Sequence, residues 1–269
     1  MLKKLIKYDL KYGAKIFIVI HALLWIAAIF GRVFFLDRID FDAPAEQLVS
    51  VLVLFFSAFV LLFSVVSLAT ALLIAARFYK NLFTDEGYLT WTLPASPVQQ
   101  LWAKILSGCI WNILDLILLY SAAYFMWISP NVQNAYRMIA AEFTASLGMP
   151  LSKFFLLMVL LSIIGVGSNV LMLYASISIG QLFPAHRLLL SVIVYFIFYM
   201  IIYALSMGAL IIFKLLPGIA LSANKVNEAA SMSNYLTWTF LISLVLSAVM
   251  AVIQYVLTHL ILTRKLNLI

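Results

Sequence analysis

The stretch Arg77–Gln100, RFYKNLFTDEGYLTWTLPASPVQQ, is the longest break in a chain that is otherwise largely apolar. It predicts a short helix from about Asp85 to Leu93. Thr84 is a favourable N-cap residue, and Asp85 and Glu86 fall in the first turn, where the helix dipole favours negative charge. The break therefore marks a structured segment between two apolar runs.

A second helix is predicted directly after the first. Pro94 ends the short helix, because proline cannot continue a helix interior. Ser96, Pro97 and Gln99 then have the spacing of a capping box with proline at the first helical position. The whole segment is predicted to be a helix, a turn and a second helix.

The short helix carries an apolar face. Tyr88, Leu89, Thr92 and Leu93 share one side, and Trp91 lies one turn from Tyr88. An apolar aromatic face outside a bilayer needs something to cover it. It is either a docking surface for another protein or part of an aromatic belt at the lipid headgroups. Side-chain chemistry alone favours neither interpretation.

The composition is that of an integral membrane protein. Of 269 residues, 66% are hydrophobic and 10% are charged, against about 45–50% apolar and 25% charged in soluble domains. The only cysteine, Cys109, lies in an apolar run, so neither a disulfide framework nor a cysteine metal site is predicted. The net charge of +7 comes from basic residues at the ends of apolar runs. That placement indicates membrane topology, and nucleic-acid binding is excluded.

The N-terminal residues Met1–Lys15 have the pattern of an amphipathic interfacial helix. We expect it to lie flat on an anionic inner leaflet, before a first span at Ile16–Phe35. A signal peptide is the alternative, but the apolar run is long enough to span and has no clear small-residue cleavage site. The two stripes are Leu2, Leu5, Ile6, Leu10 and Ala14 on one side and Lys3, Lys4, Lys7, Lys11 and Lys15 on the other.

Five more apolar runs exceed the roughly 20 residues that cross a bilayer. They are Leu48–Ala76, Leu101–Ile128, Phe154–Gly180, Leu188–Phe213 and Tyr235–Leu262. The sequence thus predicts an all-α membrane protein, a single transmembrane domain over residues 1–269, with six spans and both termini on one side.

Basic residues predict the orientation. Most of the 17 lysines and arginines fall on the side of the termini. The other side holds Arg32, Arg38, Arg137, Lys153, Lys214 and Lys225, together with six acidic residues. By the positive-inside rule both termini are cytoplasmic, as are the loops at 77–100 and 181–187.

The motifs of a catalytic or ATP-binding chain are missing from the sequence. It has no G-x-x-x-x-G-K-[ST] phosphate loop, no H-E-x-x-H and no pair of acidic residues with metal spacing inside a span. We therefore expect no enzyme activity and no cofactor in this chain. An energy source other than an ion gradient must come from another chain.

Polar residues occur at the middle of two predicted spans. Asp115 lies in the third span with Asn112 one turn away, and Ser168 and Asn169 lie at similar depth in the fourth. A mid-membrane acid costs about 2.5–3.5 kcal/mol on insertion scales, so Asp115 should face protein or water. The predicted cluster contacts substrate or a coupling proton, or it is interhelical packing at about 0.6 kcal/mol per bond. Gln254 and His21 are weaker candidates, better explained by packing or an interfacial position.

Two loops carry a resemblance to a known family. RFYKNLFTDEGYLTWTLPASPVQQLWAKIL and, at Ser178–Ser191, SIGQLFPAHRLLLS resemble permease subunits of bacterial ATP-binding-cassette exporters of the type-2 permease family. Members of its Firmicute branch commonly read D-E-G-Y-L-T-F-T-L-P-V-S. Trp91 replaces the usual Phe and Ala95 the usual Val, and neither change disturbs the predicted caps. The six-span layout also agrees with this family.

The resemblance implies a role for both loops. In the family, the loop between spans two and three forms a coupling helix that fits a cleft on the ATP-hydrolysing subunit, which favours docking over an aromatic belt. The implied docking residues are Phe83, Asp85, Glu86, Tyr88, Leu89, Trp91 and Leu93, with Gln181, Phe183, His186 and Arg187 as a second contact.

The resemblance also implies partners and cargo. Members work as pairs of permeases, identical or homologous, with two ATPase subunits that bind ATP and magnesium. They mostly export peptides, antibiotics or lipid-linked molecules across the bacterial cell membrane. The alternative function is an ion-gradient-driven secondary transporter that uses Asp115 as a proton site. The lack of inverted repeats or paired broken spans argues against it, and intramembrane catalysis lacks a nucleophile and base at matched depth.

Overall fold

The computed structural model describes residues 1–39, 45–213, 215 and 225–264. This part of the chain is helical and contains no strand. Eight α-helices follow one another: α1 Leu2–Phe34, α2 Ala45–Phe83, α3 Asp85–Trp91, α4 Pro97–Trp127, α5 Pro130–Leu147, α6 Leu151–Gly180, α7 Arg187–Ile212 and α8 Lys225–Arg264. Short 3-10 helices lie at Leu36–Arg38 and Pro184–His186.

Six of these helices are long and apolar enough to cross a membrane: α1, α2, α4, α6, α7 and α8. The shortest, α7, has 26 residues, which at about 1.5 Å per residue exceeds the roughly 30 Å hydrocarbon core. The prediction of an all-helical chain with six helices long and apolar enough to span a membrane is therefore confirmed for the described residues.

The predicted separate helix over residues 1–15 is wrong. Helix α1 runs unbroken from Leu2 to Phe34, and no proline occurs within that range to end it. Its first turns also pack against other helices, since Asp9 is buried there. Residues 1–15 are therefore the first turns of a helix that packs into the bundle.

The segment between the second and third spanning helices is shorter than the sequence predicts. Helix α2 continues past Ala76 to Phe83, and α3 ends at Trp91, two residues before Leu93. Thr84 occupies the N-cap position, but its hydroxyl donates to the carbonyl of Lys80 at 2.6 Å and does not cap the helix. The second predicted cap is confirmed: the Ser96 hydroxyl accepts from the Gln99 amide at 3.3 Å, with proline at N1.

Helix α5 was not predicted, although the sequence contains its start and stop signals. Ser129 stands at the N-cap position and Pro130 at the first helical position. Gly148 ends the helix in the left-handed conformation, at a φ of 69°. The segment is too polar to be recognised as an apolar run, so the apolar pattern did not predict this helix. It packs on α8 and on the Leu36–Arg38 turn.

A buried aromatic and aliphatic cluster lies at the end of the bundle that carries α3. Helices α1 and α4 run parallel there, with α2 and α6 antiparallel to them. Phe78 of α2 stacks on Tyr174 of α6 with ring centroids 3.9 Å apart. Gly108 of α4 permits this approach, since a Cβ at that position would lie 2.7 Å from the Tyr174 hydroxyl. The buried cluster around this stack also contains Phe83 and Leu101, so it supports the α2–α4 connection directly.

Candidate functional site

Helix α3 is held against the bundle along one side. Its residues Gly87 and Thr90 are buried on that side. The side-chain amide of Gln100 donates to the Thr90 carbonyl at 3.0 Å, and the Trp91 indole N–H donates to the Leu82 carbonyl at 3.3 Å. These bonds attach α3 to the start of α4 and the end of α2, so one side of the short helix is held against the spans.

The opposite side of α3 is apolar and exposed. Tyr88 is 54% exposed, Leu89 74% and Leu93, just beyond the helix, 44%. We call these three residues the apolar patch. Because the other side of α3 is attached to the bundle, the patch is a preformed surface.

The structure divides the other predicted docking residues. Phe83 is buried in the core and Trp91 is half-buried against it, so the expectation that both form part of the docking face is corrected. Their aromatic rings stabilise the α2–α3 turn from inside. Asp85 is exposed. Glu86 is also exposed, but its carboxylate accepts a hydrogen bond from Arg77 at 3.1 Å.

An ionic network lies beneath α3. Asp9 of α1 is buried and binds two cations from different helices. Lys104 of α4 donates to its two carboxylate oxygens at 2.6 and 2.7 Å, and the Nε of Arg77 donates to Oδ1 at 2.9 Å. Since Arg77 also binds Glu86, the network joins α1, α2, α3 and α4. We call Glu86, Arg77, Asp9 and Lys104 the ionic network.

The loop between α6 and α7 lies at the same end of the bundle. Phe183 and His186 are exposed, whereas Arg187 begins α7 and is half-buried. The Gln181 side chain donates to the Ile177 carbonyl of its own helix at 3.3 Å. Of the four residues expected to form a second contact, Phe183 and His186 are thus the most accessible.

Asp115 is fully buried at the centre of the bundle. Its Oδ1 accepts from the Thr70 hydroxyl of α2 at 2.8 Å and lies 2.8 Å from Nε2 of His21 on α1. Its other oxygen, Oδ2, is buried with no hydrogen-bond partner in the described part of the chain. The acid therefore faces α1 and α2.

The His21 ring joins this acid to α1. Its Nδ1 lies 2.9 Å from the Phe17 carbonyl, and the ring stacks on that of Phe17 with centroids 3.9 Å apart. Its Nε2 lies 2.8 Å from Asp115 Oδ1. Asp115, His21 and Thr70 therefore form a buried polar contact between α1, α2 and α4.

The predicted cluster between the third and fourth spans is not formed by hydrogen bonds among the described residues. Ser168 donates to the Ser247 carbonyl of α8 at 2.7 Å, and Asn169 is half-buried on α6. Asn112 is buried on α4, one turn from Asp115. A similar position along the span does not determine which neighbouring helix a side chain faces.

Sequence analysis missed three residues of these sites. Asp9 was passed over in a segment assigned to the lipid surface, although it is the single acid among the lysines of residues 1–15. Thr70 and Lys104 gave no distinctive signal. Within the described ranges, no three His, Cys, Asp or Glu side chains are placed to hold a metal ion.

Comparison with protein-family models, curated proteins and solved structures finds no match for this chain. The apolar patch, the ionic network and the Asp115–His21 pair therefore carry the functional argument together with the sequence resemblance.

Proposed function

We propose that this chain is the membrane-spanning permease subunit of an ATP-driven exporter in the bacterial cell membrane. A separate ATPase subunit, present twice in the complex, binds ATP and magnesium and docks on α3. A second permease, identical or homologous, completes the transport pathway. The cargo is a peptide, an antibiotic or another amphipathic molecule, and both termini are cytoplasmic.

The apolar patch on α3 is the observation that carries this proposal. A water-exposed apolar group on a helix fixed outside the spans is typical of a protein interaction site. Tyr88 supplies an aromatic group of the kind that dominates such interfaces. A cleft on a soluble ATPase would cover Tyr88, Leu89 and Leu93 together.

The charges beside the patch favour a protein cleft over the lipid headgroups. Asp85 and Glu86 are exposed on the same short helix. The cytoplasmic leaflet of a bacterial membrane is anionic and attracts lysine and arginine, so two carboxylates oppose adsorption there. A cleft with basic groups at its rim accommodates both the patch and the acids.

Co-purification of the ATPase tests the docking role. We expect the double variant Tyr88→Ala/Leu89→Ala to lose the ATPase, since an aromatic anchor at an interface centre contributes about 2 kcal/mol, or roughly 30-fold in affinity. The matched control is Leu68→Ala/Leu72→Ala, which truncates two exposed apolar residues within α2. If the first variant keeps the ATPase at the control's level, α3 is a membrane-surface anchor and the exporter proposal fails.

A second candidate function is proton-coupled secondary transport. The observation that favours it is the buried Asp115–His21 pair, whose Oδ1 and Nε2 lie 2.8 Å apart, with Asp115 Oδ2 unpartnered in the described chain. An acid that gains and loses a proton at mid-membrane is a feature of proton pathways. The same pair also serves as a packing link between α1, α2 and α4.

A further inference from the structure

We propose that Arg77 is a positioning residue that transmits movement of the docked α3 to α1 and α4 through the ionic network. This proposal rests on the proposed function, since it assumes an ATPase docked on α3. It adds the route by which nucleotide binding at that ATPase changes the arrangement of the spans.

Arg77 connects two acids that lie on different helices, Asp9 on α1 and Glu86 on α3. Its Nε donates to Asp9 Oδ1 at 2.9 Å, and its NH1 donates to Glu86 Oε2 at 3.1 Å. The guanidinium also lies over the Tyr12 ring of α1, 4.3 Å from the ring centroid. Because the guanidinium is planar and rigid, a shift of Glu86 with α3 is passed to Asp9 and Tyr12.

Asp9 passes that shift to a third helix. Its carboxylate is buried and is bonded by Lys104 of α4 through both oxygens. Charge-assisted hydrogen bonds with low exposure are strong and directional. A displacement of Asp9 therefore acts on α4 and, since α1 is unbroken to Phe34, on the far end of α1.

The Glu86–Arg77 pair contributes little to folding. The Glu86 side chain is 46% exposed, and exposed ion pairs typically contribute about 0–1 kcal/mol to stability. It nevertheless provides an ionic link from α3 to the spans. The exposed Arg77–Glu86 pair is weak and is joined to the buried Asp9–Lys104 pair. A weak, accessible pair of this kind can break and re-form during a transport cycle.

A cavity leaves room for the movement. About 130 Å³ of space lies between α3 and the spans, beside the ionic network. Its walls include Thr90 and Leu93 near α3, Tyr8 and Asp9 of α1, and Lys104 of α4. Because α3 does not pack fully against α1, it can approach α1 without displacing core side chains.

The experiment uses the purified complex of this chain with its ATPase, and ATP with magnesium as the probe. The variant is Arg77→Gln, in which Lys104 still neutralises Asp9, so no buried charge is left alone. The control is Lys80→Gln, which removes the same charge from an exposed position on the same helix. Arg77→Lys keeps the charge without the planar fork.

The readout is an environment-sensitive fluorophore on Val33→Cys, near the far end of α1, in a Cys109→Ala background. We expect ATP to shift its emission in the otherwise unchanged complex and in Lys80→Gln. Arg77→Gln should lose the shift while the ATPase still co-purifies, and Arg77→Lys should retain part of it. A full shift in Arg77→Gln overturns the transmission role and leaves docking intact. If the unaltered chain binds no ATPase, the proposed function itself fails.

Discussion

The Lys104 ammonium lies 2.6 and 2.7 Å from the two carboxylate oxygens of Asp9, although 95 residues separate the two side chains. Both are buried. A buried ion pair is not by itself a source of stability, because desolvation offsets the attraction. Removing one partner is costly, however, and here the two partners are not equivalent, because Asp9 has a second cation in Arg77.

Asp9→Asn should therefore destabilise the protein more than Lys104→Met. Asp9→Asn leaves the buried Lys104 without its carboxylate, a loss of about 3–5 kcal/mol in comparable sites. Lys104→Met leaves Asp9 paired with Arg77 and replaces the cation by an apolar side chain. Thermal unfolding in detergent at low salt measures both. The control Asp85→Asn, at an exposed acid, should stay within about 0.5 kcal/mol of the unaltered chain. Equal losses for the first two variants would contradict this asymmetry.

Much of the fold could be predicted from the sequence, because few secondary structures satisfy their backbone hydrogen bonds inside a bilayer. An apolar run of about 20 residues that crosses a membrane must be helical, since its backbone groups have no water to bond. Local signals also located α3, and the Ser96–Gln99 cap was correct. Helix α5 contains no long apolar run, so apolar patterning does not predict it. Pro130 at its first position and Gly148 just after its end are the signals that mark it.

The sites were harder, because adjacency between helices is not encoded locally. Asp115 was expected to face Ser168 and Asn169 on the next span. It instead contacts His21 and Thr70, on the first and second spans. Likewise nothing near Asp9 in the sequence identifies Lys104 as its partner. Burial of an ionisable residue in a span predicts that a partner exists, but the packing order of the helices decides which residue it is.

Topology can be tested by labelling single cysteines in a Cys109→Ala background. Under the proposed orientation, Asn134→Cys on α5 should react with an impermeant thiol reagent applied to intact cells. Thr92→Cys, just after α3, should react only after the membrane is opened. Both positions are exposed, so accessibility does not differ between them. The reverse labelling pattern would place α3 outside the cell and remove it from any cytoplasmic ATPase.

The close approach of α6 and α7 predicts opposite effects for two glycines of α6. A Cβ at Gly180 would lie 2.7 Å from the Arg187 carbonyl oxygen and 2.8 Å from the Ser191 nitrogen. Both are backbone atoms that cannot rotate away, so Gly180→Ala should destabilise the protein by about 1–3 kcal/mol. Gly165→Ala meets nothing within 4 Å and should stabilise the helix by up to about 1 kcal/mol. Unfolding midpoints that move in the same direction would contradict this packing.

Two substitutions of Asp115 test whether its contact with His21 and Thr70 serves helix packing or proton transfer. Asp115→Asn keeps an amide oxygen at the position of Oδ1, which accepts from the Thr70 hydroxyl and from an N–H at His21 Nε2, so it should unfold close to the unaltered chain. Asp115→Leu leaves both groups buried without that partner, which should cost about 1–3 kcal/mol for each. Thermal unfolding compares the two.

The functional arm of that test measures proton flux in vesicles that contain the permease alone, with a pH gradient imposed and an internal pH-sensitive dye. As an ATP-driven permease, the chain should give the same flux with Asp115 and with Asp115→Asn, because a contact that only packs helices together carries no protons across the membrane. Ser168→Ala serves as the control, since that hydroxyl bonds the α8 backbone. A proton flux that requires the Asp115 carboxyl group and survives in Ser168→Ala would favour secondary transport. A coupling proton would then bind this carboxyl group of α4, which contacts His21 of α1 and Thr70 of α2.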